Sequence, residues 1–392
     1  MNIDEAAVIE RIRVVEIGIP LAVPFQISGG ICRLRHSVIV ELLSNGITGY
    51  GEAAPFDRPF YSAETFSSAR ALLEECLLPR VIGQEISGIE HLNQILTDGV
   101  RGNPFARAAV ETAYWDLIAR KNRWSLRELL YHYLRRMGVA EENLDPQHAI
   151  ESGVSVGIPE DGRYDTLRRW VTDYAEEGYR RIKIKIKPGW DVEAVRVSRE
   201  VLGRDFPFWI DANASFNLEE HLEVFRAMDA YNCLFYEQPL HHDDILDHAA
   251  LSRQVRTPIC LDESLKSFRV GKQVIQLGAA PIWNIKIQRV GGLLEAAKLY
   301  KLAVEKGISL WGGTMPETGI GAMSILALGS FKAFKYPSDV ESSRRWFGAG
   351  QDLIEIELTP AGRIELSDAE GIGMINMENY TRFGKTVYEL KI

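Results

Sequence analysis

Charged residues end a series of apolar runs in the middle of the chain at nearly constant spacing. The runs end at Lys185, Asp211, Glu237, Asp262 and Lys286, so that the successive intervals are 26, 26, 25 and 24 residues. About 25 residues are enough for one strand, one helix and the loops between them. The repeat therefore predicts consecutive strand–helix units, which pack as a parallel sheet.

The first of these runs is itself unusual. Isoleucine and lysine alternate from Ile182 to Lys187, which is the period of a strand. An exposed edge strand could have this pattern, because lysine protects sheet edges. In the middle of a parallel sheet the lysines would instead be buried, and buried ammonium groups need anions close by. The acids that end the following runs could supply those anions.

The strand–helix pattern begins near Ser152 and gives seven clear units, with a weaker eighth strand near Ala333–Tyr336. With this many units, closure into a barrel is favoured over an open sheet. The predicted fold is α/β, a TIM-type (β/α)7β barrel over residues 148–348. Residues 349–392 have a hairpin-like pattern, with strands expected at 354–358 and 362–366, and are expected to rejoin the N-terminal part.

The N-terminal part has a different pattern, in which strands precede helices. Residues 11–19 and 37–43 alternate like strands, and Ser44-Asn45-Gly46 is a hairpin signal. Residues 63–78 and 103–135 are predicted to be helical. An α+β domain over residues 1–147 is the expected result.

Composition excludes several classes of function. The 392 residues are 46% hydrophobic and 25% charged, as in an ordinary globular protein. Their net charge of 45 − 54 = −9 argues against nucleic acid and an anionic membrane as partners. The four cysteines have no metal-binding spacing, and the N-terminus has no apolar signal segment. A cytoplasmic protein with reduced thiols is expected.

Three of the acids are candidate metal ligands. The carboxyl ends of barrel strands form one face, so Asp211, Glu237 and Asp262 are expected to converge there. Each acid alone could equally be an ion pair or a helix cap, but three together need a cation. Oxygen ligands suit Mg²⁺, with Mn²⁺ as the alternative. Two further acids, Glu111 and Asp116 on the predicted helix 103–135, are interpreted as solvated or paired.

Lys185 and Lys286 would lie on either side of that metal. Burial and nearby cations favour the neutral amine, which can act as a base. The proton alpha to a metal-bound carboxylate is weakly acidic, and its removal builds negative charge beside the metal. A lysine base, a divalent cation and a carbon acid form one consistent mechanism.

Several motifs resemble those of the enolase superfamily, muconate-lactonising subgroup, and within it the o-succinylbenzoate synthase/N-succinylamino acid racemase family. The similarity covers about residues 10–380. The matching motifs are residues 178–191, Tyr236-Glu237-Gln238-Pro239-Leu240, Leu261-Asp262-Glu263-Ser264, Asn284-Ile285-Lys286 with Arg289-Val290-Gly291-Gly292, and Glu317-Thr318-Gly319-Ile320-Gly321.

The resemblance implies that the α+β domain caps the barrel and that the loops near 25–30 and 54–61 close on the substrate. It implies Lys185 as the base, Lys286 as the enolate-stabilising group or the opposite acid/base, and the three acids as Mg²⁺ ligands. Further residues are expected to contact the substrate or to support these groups: Lys183, Ser155, Asn213, Glu263, Arg289, Thr314, Met315 and Glu317.

Two reactions are open. One is a lyase reaction, the dehydration of a cyclohexadiene carboxylate to o-succinylbenzoate in menaquinone biosynthesis. The other is an isomerase reaction, the racemisation of N-succinyl or other N-acyl amino acids. The resemblance keeps both reactions open, because family members with racemase activity tend to carry an arginine three residues after the second lysine, where Arg289 stands. A related cycloisomerase or racemase and a non-catalytic barrel are minor alternatives. Departures from the family at Thr314, Ala322, Ser324 and Ser338 leave the substrate open, and a homo-oligomer acting on a small carboxylate is expected.

Overall fold

The computed structural model describes residues 3, 6–27 and 30–392, without the side chains of 25–27 and 30–31. The predicted Gly-Gly loop at 28–30 therefore lies largely outside the described residues. The strands are β1 (Ala7–Val8), β2 (Arg11–Ile27), β3 (Gly30–Ser44), β4 (Ile47–Ala53), β5 (Glu85–Ile86), β6 (Ala149–Glu151), β7 (Val154–Val156), β8 (Ile182–Lys185), β9 (Phe208–Asp211), β10 (Tyr236–Glu237), β11 (Ile259–Leu261), β12 (Ile282–Ile285), β13 (Ser309–Gly312), β14 (Arg363–Glu365) and β15 (Gly384–Lys391).

Fourteen α-helices lie in the described part of the chain. They are α1 (Phe66–Leu72), α2 (Ile89–Thr97), α3 (Pro104–Asn122), α4 (Leu126–Arg136), α5 (Tyr164–Glu177), α6 (Val192–Leu202), α7 (Leu218–Met228), α8 (Ile245–Ser252), α9 (Phe268–Leu277), α10 (Ile287–Val290), α11 (Leu293–Lys306), α12 (Gly319–Gly329), α13 (Ser343–Phe347) and α14 (Met377–Phe383). Among them, no helix is long and apolar enough to cross a membrane.

The barrel consists of seven parallel strands, β7 to β13, each hydrogen-bonded to the next along the chain. An irregular segment occupies the eighth position. Phe334 of this segment forms a bridge with Leu310 of β13, and Ser338 forms a bridge with Ser152, just before β7. Both bridges are parallel. The weak strand predicted at 333–336 is thus reduced to single bridges, since Pro337 has no N–H to continue a ladder. The architecture is the predicted TIM-type barrel with a separate N-terminal domain.

The lysine strand lies inside this sheet, between β7 and β9. Its alternative interpretation as an edge strand is therefore wrong. Lys183 and Lys185 are 1% and 7% exposed, so both point into the barrel rather than to solvent. Below them the barrel is filled by an aromatic layer in which Trp209 and Trp311 lie 5.1 Å apart between ring centroids.

The N-terminal domain packs helices on a four-stranded antiparallel sheet of order β15-β2-β3-β4. The predicted hairpin turn is present, with Asn45 and Gly46 in the left-handed region (φ +50° and +77°) between β3 and β4. Helix α3 lies directly on β4. A Cβ at Gly51 would come 2.1 Å from the Ala109 carbonyl oxygen, so only glycine permits this approach.

Two sequence predictions are corrected. The helix expected over 103–135 is two helices, because Arg123 adopts a left-handed conformation (φ +57°) and Ser125 caps α4 by accepting the Glu128 N–H. The strand expected at 354–358 is irregular backbone. Of the predicted C-terminal hairpin only β14 forms, and it pairs with β6 instead.

The last strand, β15, pairs antiparallel with β2 along seven positions. The C-terminal segment thus contributes to the N-terminal sheet. The exact domain limits at 147/148 and 348/349 stay predictions.

Candidate active site

Three carboxylates converge at the carboxyl ends of consecutive barrel strands. Asp211 is the last residue of β9, Glu237 is the last residue of β10, and Asp262 directly follows β11. One oxygen of each lies within 4.8 Å of the others, and all three side chains are buried. Three anions at this separation repel one another strongly unless cations lie beside them.

Lysines flank the acids on both sides. From β8, the Lys185 Nζ donates to Asp211 Oδ2 at 2.6 Å. From the end of β12, the Lys286 Nζ lies 3.0 Å from Asp262 Oδ2. The chain order of the barrel therefore places one lysine at each end of the row of acids, as the sequence predicted.

A third lysine, Lys183, lies deeper in the barrel. Its Nζ is 3.3 Å from Glu237 and 3.5 Å from Asp211, and it donates to Asp339 Oδ2 at 2.8 Å. Burial by itself lowers the pKa of Lys183, but these carboxylates outweigh it and raise the pKa. Lys183 is therefore held as an ammonium and is suited to a structural role.

Tyr61 closes the site from the loop at 54–61. The Lys286 Nζ donates to the Tyr61 hydroxyl at 2.9 Å, and that hydroxyl lies 3.3 Å from Asp262 Oδ1. Burial lowers the pKa of Lys286, yet Tyr61, Glu263 and Glu237 raise it by more. The neutral amine that burial was expected to favour is thus not favoured at Lys286 in these surroundings.

The residues around the acids fit a hydrated divalent cation. Asn213 donates to Glu263 Oε1 at 3.0 Å, and the Asn213 N–H donates to Asp211. In the described chain, the buried oxygens Asn213 Oδ1 and Glu263 Oε2 have no hydrogen-bond partner. Buried acceptors need a donor, and an all-oxygen set with unused acceptors beside it suits a cation that keeps several waters.

A small cavity of about 30 Å³ lies above these groups. It has room for only a few water molecules, and Phe56 and Tyr61 of the loop at 54–61 are among the residues that line it. The predicted site residues that line it are Lys183, Lys185, Lys286, Ser155, Asn213, Thr314 and Met315.

Comparison with known families decides the assignment of the fold. Residues 9–130 match the N-terminal domain of the mandelate racemase/muconate lactonizing enzyme family. Residues 166–378 match the enolase C-terminal domain-like family. The chain belongs to the enolase superfamily.

Relatives place this enolase-superfamily member in the o-succinylbenzoate synthase/N-succinylamino acid racemase family. It is 36% identical over 373 residues to an o-succinylbenzoate synthase of Geobacillus stearothermophilus, with 94% of each chain covered. It is 38% identical over 365 residues to an N-succinylamino acid racemase of Thermus thermophilus, with 93% of each covered. A crystal structure of an enolase-superfamily member from Listeria innocua superposes with a TM-score of 0.87 at 32% identity, covering 98% of this chain and 99% of that one.

Three of the predicted residues of this family member lie behind the cavity wall. The Arg289 guanidinium donates to Asp262, and Glu263 accepts from Asn213. Both line a neighbouring cavity that Tyr61 and Asn213 also line. Glu317 accepts the N–H of Met315 in its own loop. Its neighbours are Glu52 and Arg35, and burial raises its pKa to about 7.

The departures from the family pattern fall at different depths. Thr314 lines the central cavity, whereas Ala322 lines a smaller cavity beside the loop that follows β13. Ser324 is buried within α12. Ser338 donates to the Gly312 carbonyl oxygen at 3.0 Å, where the eighth segment meets β13.

Sequence reasoning missed Asp339 as a site residue. Its carboxylate accepts from Ser155 Oγ at 2.8 Å, from Arg181 at 3.0 Å and from Lys183. Burial would raise the pKa of Asp339, but Lys183 and Arg181 hold it far below its usual range. Asp339 ends the eighth barrel segment, so the rule that found the other acids would have reached it had that segment been extended past Tyr336.

Proposed function

We propose that the protein is a Mg²⁺-dependent enzyme in which a lysine removes the proton alpha to a carboxylate, and that its main reaction is dehydration to o-succinylbenzoate. The observation that carries the proposal is the placement of Lys185 and Lys286 at the two ends of one row of three buried acids. The proposal includes a role in menaquinone biosynthesis, a cytoplasmic location and a homo-oligomeric state.

Asp211, Glu237 and Asp262 would hold the cation, with Mn²⁺ as an alternative to Mg²⁺. When bound, it stabilises the negative charge that develops on the substrate carboxylate. Phe56, Trp346 and Tyr61 line the cavity and restrict the access of water to it. The proton transfers are therefore assigned to side chains of this protein.

In the dehydration, the Lys185 amine takes the α-proton, and its ammonium form then gives a proton to the departing hydroxyl, which leaves as water. Lys286 stays protonated and faces the growing negative charge. The contacts of Lys286 with Tyr61 and Asp262 keep it in that position.

Racemisation of N-succinyl or other N-acyl amino acids is the second candidate. It needs one base on each face of the α-carbon, and the two lysines can supply both. Arg289 favours this reaction, because its positive charge contacts Asp262, the carboxylate beside Lys286. It thereby offsets part of the negative charge that stabilises the ammonium form of Lys286. The racemase relative adds support.

The test uses both substrates with Mg²⁺ and follows exchange of the α-hydrogen in D₂O. Lys185→Arg should abolish dehydration, and Lys185→Arg and Lys286→Arg should each abolish racemisation. Lys187→Arg is the matched control, because Lys187 ends the same run but is exposed. If either active-site variant racemised at the wild-type rate, the two-base assignment would be wrong. If neither substrate were turned over by the wild type, the enzyme would act on another carboxylate.

A further inference from the structure

A second cavity of about 410 Å³ adjoins the central one. The two share a wall, since Ser155 and Trp346 line the central cavity while their chain neighbours Val156 and Arg345 line the second. The second cavity, here called the side cavity, is also lined by Trp170 and Tyr174 of α5 and by Val23, Pro24 and Arg33 of the N-terminal domain.

Arg345 is the unusual residue of this wall. Its side chain is 11% exposed, and its guanidinium lies over the rings of Tyr174 and Trp346 at 5.2 and 5.0 Å. Among the described residues, its buried Nε has no hydrogen-bond acceptor. A buried guanidinium donor without an acceptor is costly, so the position favours an anionic ligand.

The nearest carboxylate satisfies Arg345 poorly. Glu341 Oε2 lies 3.6 Å from Arg345 Nε, beyond hydrogen-bond distance, and this oxygen has no hydrogen-bond partner in the described chain. Glu341 Oε1 instead accepts the Ser155 N–H at 2.9 Å. Burial raises the pKa of Glu341 to about 7, so its charge beside Arg345 is incomplete near neutral pH.

The other charged groups of the side cavity are already engaged. Asp161 accepts from the Arg163 N–H and from Thr166 Oγ1 at the start of α5. Glu160 and Arg33 face each other at 3.7 Å and are both mostly exposed. Arg345 therefore remains as the cation with a buried Nε donor to offer.

We propose that Arg345 binds the distal carboxylate of the substrate's succinyl group, which extends from the central cavity into the side cavity. The planar guanidinium fork matches a carboxylate, and Trp170 and Tyr174 offer apolar faces to the methylene groups. This assignment rests on the proposed function, because it presumes a substrate whose α-carbon lies between Lys185 and Lys286.

The test compares N-succinyl amino acids with their N-acetyl and N-succinamyl counterparts, which lack the distal charge. Arg345→Met should lower kcat/KM for the N-succinyl substrate by about 30-fold or more, as expected for removing one member of a buried charge pair. For the two substrates without the distal charge, kcat/KM should change less than about threefold. Arg345→Lys should restore part of the succinyl preference. Arg344→Met, at the exposed neighbouring position, is the matched control and should leave kcat/KM unchanged for all of these substrates.

The proposal is overturned if Arg345→Met, with an unchanged thermal midpoint, still prefers the succinyl over the acetyl substrate by the wild-type factor. If the methionine variant does not fold, Arg345→Lys decides, since an unaltered preference in it overturns the proposal. Calorimetric titration with N-succinylglycine and N-acetylglycine separates this question from the proposed function. If the wild type binds N-succinylglycine more tightly than N-acetylglycine and Arg345→Met loses this difference, the tail site is supported even without turnover. Absence of turnover alone counts only against the proposed reaction.

Discussion

At the scale of single residues, the site is a set of buried charges that satisfy one another. Lys185 contacts Asp211, Lys286 contacts Asp262, and Lys183 is surrounded by three carboxylates. Removing one member of such a set leaves its partner buried and unpaired, which costs about 3–5 kcal/mol. Variants of these residues therefore need a check of folding beside any measurement of activity.

Glu237 offers the clearest test of the metal site, because it is hydrogen-bonded to Asn284 and Trp209 rather than to Lys185 or Lys286. We expect Glu237→Gln to weaken Mg²⁺ binding at least about tenfold and to lower α-proton exchange by about 100-fold or more, since one anionic ligand is lost. Calorimetric Mg²⁺ titration and exchange in D₂O measure the two effects. Glu223→Gln at the exposed surface is the control, and full activity after EDTA treatment would contradict a metal-dependent reaction.

Tyr61 is expected to position Lys286. Tyr61→Phe removes the hydroxyl that accepts from the Lys286 Nζ, and hydrogen bonds to charged groups contribute about 1.5–3 kcal/mol. Racemisation should fall about tenfold or more, while single-face exchange by Lys185 continues. Tyr131→Phe, whose hydroxyl contacts Glu141 at the surface, should have no effect. Equal loss of both activities would show that Tyr61 acts on the whole cavity instead.

At the scale of secondary-structure elements, two carboxylates of the N-terminal domain cap barrel helices. Glu111 of α3 accepts the N–H groups of Leu293 and Leu294 at the start of α11. Glu52 of β4 accepts the N–H groups of Thr318 and Gly321 at the start of α12. The first N–H groups of a helix have no partner within the helix, so these two carboxyl groups supply acceptors for them and attach the N-terminal domain to the barrel. Glu111 is thus paired, one of the two interpretations that the sequence allowed.

The second glycine of the Arg289–Gly292 motif is required by this contact. Gly292 has φ +131°, and a Cβ there would lie 2.3 Å from Glu111 Oε2. We expect Gly292→Ala to lower the free energy of unfolding by about 3 kcal/mol or more. Gly307→Ala at the other end of α11 is the control. That residue is also left-handed (φ +69°), but a Cβ there meets no described atom within 4 Å, so only about 1–2 kcal/mol should be lost. Urea unfolding measures both, and equal losses would contradict the steric account.

Glu111 also gives the stability a pH dependence. Burial raises its pKa to about 7, from an ordinary value of 4.5. The folded state therefore binds this proton more tightly than the unfolded state, and the stability that it contributes is present below pH 4.5 and lost as the pH rises to 7. In Glu111→Gln the decline of the unfolding free energy across this interval should be shallower, by at most about 1.4 kcal/mol per pH unit. Urea titrations at several pH values test this, and an unchanged slope would contradict it.

At the scale of the whole molecule, the two domains are built from segments that are distant in sequence. The N-terminal sheet takes its edge strand β15 from the C-terminus, and β14 pairs with β6 where the chain enters the barrel. A cavity between the domains is closed by Phe56 and Tyr61 on one side and by barrel residues on the other. The central cavity thus lies at the interface between the N-terminal domain and the barrel.

The C-terminal strand should therefore stabilise the N-terminal domain. Deleting residues 384–392 exposes the edge of β2 and removes the half-buried side chains of Val387, Tyr388 and Leu390. We expect the free energy of unfolding to fall by about 2 kcal/mol or more, as measured by urea unfolding. Deleting only Ile392, which is 69% exposed, is the control. A full-length stability in the longer deletion would show that β15 is dispensable.

The sequence by itself determined the barrel and most of its chemical centre. Lys185, Asp211, Glu237, Asp262 and Lys286 could be read from spacing, because parallel strand–helix units bring every carboxyl end of a strand to one face. That inference needs only local periodicity and the direction of the chain. The family could also be identified from the sequence, because each motif is a short, local stretch of residues near the end of one strand.

Only the tertiary structure decided which groups meet across the barrel and between the domains. Lys183 pairs with Asp339, 156 residues away, and Lys286 with Tyr61, 225 residues away. These contacts depend on how the barrel closes and how the N-terminal domain docks, and no periodic pattern encodes either. The break after Asn122 and the unsatisfied guanidinium of Arg345 were hidden for a related reason. Both depend on the packing of several segments at once, which local sequence preferences do not specify.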